Sequence, residues 1–301
     1  MKIGFIGAGN MGGAIIKGYL AAGGGEVFVY DADAAKAAAV AEAGTSADCR
    51  GGILPSAKGD NGSTVAVCEN VAELVAAADV IVLAVKPNVM EAVLGDVKAA
   101  DPRAKVFVSI AAGISIGFIR GILGADAKVV RVMPNTPAMV GCGMSALAVA
   151  AGGALSDAEK DAVFGLFSSI GEAVWVDEAQ MDAVTGISGS SPAYAYMYME
   201  GLIEAGVRHG LSREAATLLA AQSTLGAARM VLAAGGRQDA APTGSADAQQ
   251  GPVDVVQLRV NVCSPGGTTI EAVHVLEADG FLETIGKAVD ACVAKSKLMT
   301  R

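Results

Sequence analysis

Positive charge is scarce in this 301-residue chain and never clustered: 22 Lys and Arg stand against 31 Asp and Glu, for a net charge of −9. A nucleic-acid groove or a face for anionic lipid needs Lys/Arg clusters, so neither partner is expected. Cysteine is equally thin. Cys49, Cys68, Cys142, Cys263 and Cys292 are odd in number, widely scattered and never form a CxxC pair. That usage speaks against a disulfide framework and a zinc site, so no metal is expected, and it suits a reducing compartment. The opening "MKIGFIGAG" enters a strand-like run with no signal-peptide design, and a cytoplasmic location is expected. The uncharged stretch from Val132 to Ser156 contains Pro134, Pro137 and four glycines; it alternates like strands and turns and is not read as a membrane span. Histidine and lysine are few in the second half. The two histidines, His209 and His274, sit in no motif, and no lysine occurs between Lys160 and Lys287.

What is present is apolar: 52% of residues are hydrophobic and 18% charged, enough to build one large domain or two ordinary ones. The first half alternates strand-like runs, at 2–7, 26–31, 79–85, 105–111, 128–133 and 144–150, with helix-like segments between the earlier ones. Near-continuous apolar strands of this kind belong to a parallel sheet covered on both faces. "EAVWV" (172–176) reads as a last short strand, and after Asp177 the pattern turns helical over 178–235 and 268–299. The expected fold class is α/β: a Rossmann-type dinucleotide-binding domain over 1–177, followed by an all-α domain over 178–301. Residues 48–64 and 236–254, rich in Gly, Pro, Asp and Gln, read as exposed loops.

The first candidate site is Gly7-Ala8-Gly9-Asn10-Met11-Gly12, a GxGxxG spacing with a strand before it and a helix after it. In that context Gly7 allows the tight turn, Gly9 lets the backbone approach a pyrophosphate, and Gly12 lets helix pack on strand. The phosphates would meet the positive end of the helix. A glycine-rich turn with no ligand is the alternative. Asp31 ends the second strand, 19 residues after Gly12, where a carboxylate commonly bonds the ribose 2′-hydroxyl; it could also cap the next helix. "AVKP" (84–87) and "SIAAG" (109–113) end further strands, where ligands of open α/β sheets bind. Lys86 there reads as a cofactor contact or surface residue rather than a base.

The second candidate site is "VCSPGGTTIEAV" (262–273), which has no His, Lys or Arg. Thr268 and Glu271 have capping-box spacing, so a helix is expected to start there. Ser264, Gly266, Gly267 and Thr269 would then present hydroxyls and free N–H groups at a positive helix end, a place suited to a carboxylate. A self-satisfied helix start is the alternative. A small anion reduced by hydride at an already electrophilic carbon, such as a protonated imine, needs little acid–base machinery. The layout is also similar to β-hydroxyacid dehydrogenases, but their lysine on the first long helix of the second domain is missing from "GISGSSPAYAYMYMEGLIEAG". A non-catalytic cofactor-binding or sensing protein also remains open.

Taken in order, "GFIGAGNMG", "AVKP", "SIAAG", "RVMPNTPA", "DAVTGISGSSPAY" and "SPGGTTIEAV" resemble the pyrroline-5-carboxylate reductases over essentially the whole chain except the two loops, which resemble insertions. The resemblance implies NAD(P)H-dependent reduction of 1-pyrroline-5-carboxylate to L-proline, the last step of proline synthesis. It also implies a dimer of interleaved C-terminal helices assembled further into a ring of dimers. Carried over by motif, Gly7 to Gly12 hold the pyrophosphate, Val85, Lys86, Pro87 and Ala111 contact the cofactor, and Asn70 meets the adenosine ribose. On the substrate side it implies Asn261, Glu178, Ser264 and the backbone of Gly267 and Thr268, with Thr269 bonded to the ring nitrogen as the catalytic residue. Cys263 stands where many relatives have threonine or serine. Relatives favour NADPH, whereas Asp31 facing the ribose makes NADH an expected alternative.

Overall fold

All seven strand-like runs fold as strands, and their double-sided apolar character follows from helices on both faces of one sheet. The structure, a computed structural model, describes residues 1–45, 64–150, 155–235 and 253–301. The strands are β1 (Ile3–Ile6), β2 (Val27–Tyr30), β3 (Val65–Val67), β4 (Val80–Leu83), β5 (Val106–Ser109), β6 (Lys128–Met133), β7 (Gly143–Val149) and β8 (Gly171–Trp175). Among the described residues they form an eight-stranded sheet in the order β3-β2-β1-β4-β5-β6-β7-β8. The chain leaves β1 toward β2 on one side and returns to β4 on the other, which makes the β1/β4 boundary the switch point where open α/β sheets bind ligands.

Two features depart from expectation. β3 has no counterpart among the anticipated strands: three residues beside the 48–64 interruption are too short to show a period, and only pairing with β2 makes them a strand. The sheet is also not wholly parallel, because β7 runs antiparallel to β6. Only Pro134 to Cys142 separate these strands. A parallel return needs a crossover of about a dozen residues or more, so this connection can only turn back.

Alternate strand residues feed two cores. Phe5, Val29, Val82, Val108 and Val130 pack with α1 (Asn10–Ala21), α2 (Ala34–Thr45) and, later in the chain, α6 (Asp157–Ser168). Ile6, Ile81, Leu83, Phe107 and Val129 pack on the other face with α3 (Val71–Ala77), α4 (Met90–Ala99) and α5 (Ile116–Leu123). Each such buried aliphatic stabilises the fold by about 1.5–3 kcal/mol. Helix starts are set locally: Ser156 and Glu159 form a capping box on α6, and the Asn70 side chain caps α3 by accepting from the Glu73 N–H at 2.9 Å.

After Asp177 the described residues contain helices and no strand: a 3-10 turn at Glu178–Gln180, α7 (Met181–Val184), a π-helical turn at Thr185–Gly189, α8 (Ser191–Arg208), α9 (Arg213–Ala234), α10 (Val255–Val262), α11 (Thr268–Ala278) and α12 (Phe281–Met299). By compactness the chain divides into Met1–Pro192 with Val289–Arg301, and Ala193–Ala288. The first unit therefore includes 178–192 and 289–301, which sequence pattern groups with the helical half. In the second unit Ala216 and Ala220 of α9 are buried, and Glu204 of α8 pairs with Arg213 at 2.7 Å. The two expected loops, 48–64 and 236–254, fall almost wholly outside the described residues; of the latter, Asp254 caps α10 by accepting from the Gln257 N–H at 2.9 Å.

Candidate active site

The glycine motif forms a cradle at the carboxyl end of β1. Gly7 has φ +107°, and a Cβ there would stand 2.5 Å from the Ala84 carbonyl oxygen, so the turn excludes any side chain. The Gly7 N–H donates to the Tyr30 carbonyl at 2.7 Å. A Cβ on Gly12 would lie 2.4 Å from the Gly7 carbonyl oxygen, which is how α1 comes so close to its strand. Gly9 is different: a Cβ there meets nothing within 4 Å. Gly9 is also the N-cap of α1 and offers no side-chain oxygen, and the first turn has no acidic residue. The opening N–H groups of α1 thus face open space at the positive end of the helix, the arrangement a pyrophosphate requires. Ala8 is buried, Asn10 exposed and Met11 half-buried on the core.

Asp31 braces this cradle. Its Oδ2 accepts from the Ala8 N–H at 2.7 Å and its Oδ1 from the Asp33 N–H at 2.9 Å. The helix-cap alternative for Asp31 does not hold: the residue before α2 is Asp33, whose Oδ1 accepts from the Ala35 N–H at 3.2 Å. Lys36 is 3.4 Å from the Asp33 carboxylate. Asn70 stands nearby in the topology, beyond β3, with its Oδ1 committed to the cap of α3.

Across the switch point, Val85, Lys86 and Pro87 follow β4. Val85 packs on the core, Lys86 is exposed, and Pro87 opens a 3-10 turn. Ala111 is buried in the turn after β5. Glu178 also lies in this first unit. Its Oε1 accepts from the Ile116 N–H, at the start of α5, at 2.8 Å and sits 3.5 Å from Nη1 of the buried Arg131. Arg131 was not among the expected residues, although a lone charge inside the apolar "KVVRVM" signals a buried partner. Asn135 was missed too: its Nδ2 donates to the Ser188 carbonyl at 3.2 Å and its Oδ1 accepts from the Met144 N–H at 2.8 Å, tying "PNTP" to "GISGSS".

The second unit brings Asn261, Ser264, Gly266, Gly267, Thr268 and Thr269 together in one helix–turn–helix. Asn261 lies in the last turn of α10, with its Oδ1 accepting from Gln257 Nε2 at 2.7 Å. Ser264 to Gly267 form a tight turn closed by the Gly267 N–H on the Ser264 carbonyl at 3.0 Å, with Pro265 and Gly266 (φ +69°) at its centre, the residue order of a type II turn. A Cβ on Gly267 would meet Ser264 Oγ at 2.4 Å, so glycine is what lets that hydroxyl fold over the helix end. The expected helix begins here, but not by a capping box: Gly267 is the N-cap of α11, Thr268 is its first residue, and no side chain caps it. That difference matters chemically, because the first-turn N–H groups have no side-chain acceptor and stay open to an acceptor from outside the helix. Thr269 is half-buried, and among the described residues its hydroxyl has no hydrogen-bond partner. His209 and His274 are exposed. Among the described residues no group of three or more acidic, His or Cys side chains could hold a metal ion.

Comparison with known proteins agrees with this geometry. The family described as pyrroline-5-carboxylate reductase dimerisation matches residues 178–299, and the one described as NADP oxidoreductase, coenzyme F420-dependent, matches 2–113. The pyrroline-5-carboxylate reductase of Escherichia coli K12 is 38% identical over 304 residues, covering 100% of this chain and 98% of its own. The solved pyrroline-5-carboxylate reductase of Coxiella burnetii superposes with a TM-score of 0.81 at 32% identity, over 99% of this chain and 98% of that one. The Plasmodium falciparum pyrroline carboxylate reductase, solved with NADP bound, gives 0.75 at 33% identity over 100% and 98%. An open glycine cradle after β1, an uncapped start of α11 and full-length identity of this order lead to one assignment: the chain belongs to the pyrroline-5-carboxylate reductase family.

Proposed function

We propose that the chain reduces the C=N bond of 1-pyrroline-5-carboxylate to L-proline with NADPH or NADH, the last step of proline biosynthesis, and that each candidate residue acts as follows. The observation that carries the substrate assignment is the start of α11, where Gly267 leaves the first-turn N–H groups without a side-chain acceptor. Ser264 and the backbone of Gly267 and Thr268 hold the carboxylate, with the open N–H groups of the first turn of α11 as donors, and Gly266 shapes the turn that presents them. Thr269 accepts a hydrogen bond from the protonated ring nitrogen and so fixes the face of the imine; its hydroxyl is too weak an acid to protonate the ring, which takes its proton from water before binding. Asn261 and Glu178 complete the substrate set.

Gly7 to Gly12 hold the pyrophosphate, Asp31 and Asn70 the adenosine ribose, and Val85, Lys86, Pro87 and Ala111 the remainder of the cofactor. When bound, the reduced nicotinamide supplies the hydride that turns the CH=N of the protonated imine into the CH2–NH of proline. Orientation by these residues supplies much of the acceleration. Functionally we divide the chain into a dinucleotide-binding domain over 1–177 and a substrate and dimerisation domain over 178–301. Self-association through the second is supported by exposed apolar side chains on its helices, including Tyr196, Met197, Leu218, Leu219 and Leu282. A ring of dimers and a cytoplasmic location complete the reading; among the described residues no helix is long and apolar enough to cross a membrane. Incubation with pyrroline-5-carboxylate and each reduced cofactor, followed by loss of the cofactor's absorbance, tests it, and no loss with either cofactor refutes it.

Cofactor choice turns on Asp31. Both its oxygens are held by backbone N–H groups, so the carboxylate cannot swing away from a 2′-phosphate, and like charges there cost about 1 kcal/mol even when well solvated. NADH is therefore expected to work well, with NADPH not strongly preferred. Asp31→Ser is expected to move the ratio of kcat/KM values about tenfold toward NADPH. It should also weaken both cofactors, since the Ala8 N–H loses its acceptor. A native preference for NADPH of about a hundredfold would overturn this argument.

A further inference from the structure

The last residues of the chain return to the carboxyl edge of the sheet. The Arg301 N–H donates to the Gly113 carbonyl at 2.9 Å, and the Ser115 N–H donates to the Arg301 main-chain oxygen at 3.2 Å. Gly113 has φ +75°, and a Cβ there would stand 2.8 Å from the Met299 carbonyl oxygen, so the tail lies directly on the turn. Asp182, in α7, holds that tail in place: its Oδ1 accepts from the buried Ser296 Oγ at 2.6 Å and from Thr300 Oγ1 at 3.4 Å.

The turn so gripped, Ile110–Ser115, has weak internal support. Ala111 N–H to Ser109 Oγ and Ile114 N–H to the Ala111 carbonyl are both 3.4 Å. Its place in the crevice follows from topology. The glycine cradle follows β1 and Asp31 follows β2, so the adenosine half of a dinucleotide would lie toward β2. The nicotinamide half would then run the other way, over β4 and its hydrogen-bonded neighbour β5.

We propose that residues Ser296–Arg301, anchored by Asp182, form a clasp that sets the Ile110–Ser115 turn against the nicotinamide half of the cofactor, making Asp182 a positioning residue for hydride transfer. The inference rests on the reductase function above. It separates two properties: affinity comes mainly from the cradle after β1, whereas the clasp governs the geometry of transfer, where a displacement of about 1 Å can cost roughly a hundredfold in rate.

The test compares the full-length native protein with Asp182→Ala, Asp182→Asn and Gly113→Ala, the last pushing on the tail from the opposite side. Two quantities are measured: the dissociation constant of the reduced cofactor, and the single-turnover rate of pyrroline-5-carboxylate reduction per cofactor bound. The expected result is a dissociation constant within about twofold of native and a rate roughly 10- to 100-fold lower in Asp182→Ala and Gly113→Ala. Asp182→Asn, which keeps an acceptor oxygen, should regain most of the rate. A merely structural role would reduce the number of cofactor-binding molecules and leave the rate per bound cofactor unchanged, and that result overturns the proposal. So does a loss of cofactor affinity as large as the loss of rate. Should Asp182→Ala not fold, Gly113→Ala and Thr300→Val decide by the same readout. Failure of the native protein to turn over would refute the reductase reading instead, so the two failures are distinguishable.

Discussion

Gly9→Ala is expected to fold like the native protein and lose cofactor affinity, whereas Gly7→Ala is expected to lose both. At Gly9 the backbone (φ −69°, ψ −173°) suits any residue, and an added Cβ has nothing within 4 Å. That methyl would stand in the space through which the pyrophosphate approaches the N–H groups of α1. Overpacking of about 1–3 kcal/mol against a bound phosphate corresponds to roughly a 5- to 150-fold rise in Kd. Gly7 is constrained twice, by φ +107° and by the Ala84 carbonyl 2.5 Å from the added Cβ. Backbone strain and overpacking of about 1–3 kcal/mol each would remove roughly 2–6 kcal/mol from a total stability of about 5–15. Thermal unfolding and cofactor titration of the two variants check the contrast. An unchanged Kd in Gly9→Ala would mean that the pyrophosphate does not cross this residue.

Thr269→Ala is expected to lower kcat/KM for pyrroline-5-carboxylate by roughly 10- to 100-fold, the value of a hydrogen bond to a charged group at about 1.5–3 kcal/mol. The hydroxyl has no partner among the described residues, so its removal breaks no hydrogen bond among them. Thr269 is the second residue of α11, where alanine is the better helix former, and the melting temperature should not fall. Cofactor affinity should also be unchanged. Thr269→Ser keeps the hydroxyl and should recover most of the activity. Native efficiency in Thr269→Ala would remove Thr269 from the reaction and leave the α11 start as a carboxylate site alone.

Much of this molecule was legible from residue order. Apolar runs at the strand period announced a sheet covered on both faces, and glycines at fixed offsets between a strand and a helix announced the cradle, because those signals are local and each has one cheap structural solution. The start of α11 was legible in place but not in kind: T-x-x-E spacing suggests a capping box, yet Gly267, which a folded-over Ser264 requires, takes the cap position and leaves the N–H groups open. What only tertiary structure decided is long-range. β3 exists because β2 offers it an edge, and β7 reverses because nine residues cannot carry a crossover. Glu178 on the Ile116 N–H and Asp182 on Ser296 join residues 62 and 114 positions apart. No period or motif encodes such pairs. They arise because folding brings chain segments together at the carboxyl edge of the sheet, where buried polar groups must find partners wherever in the sequence those partners lie.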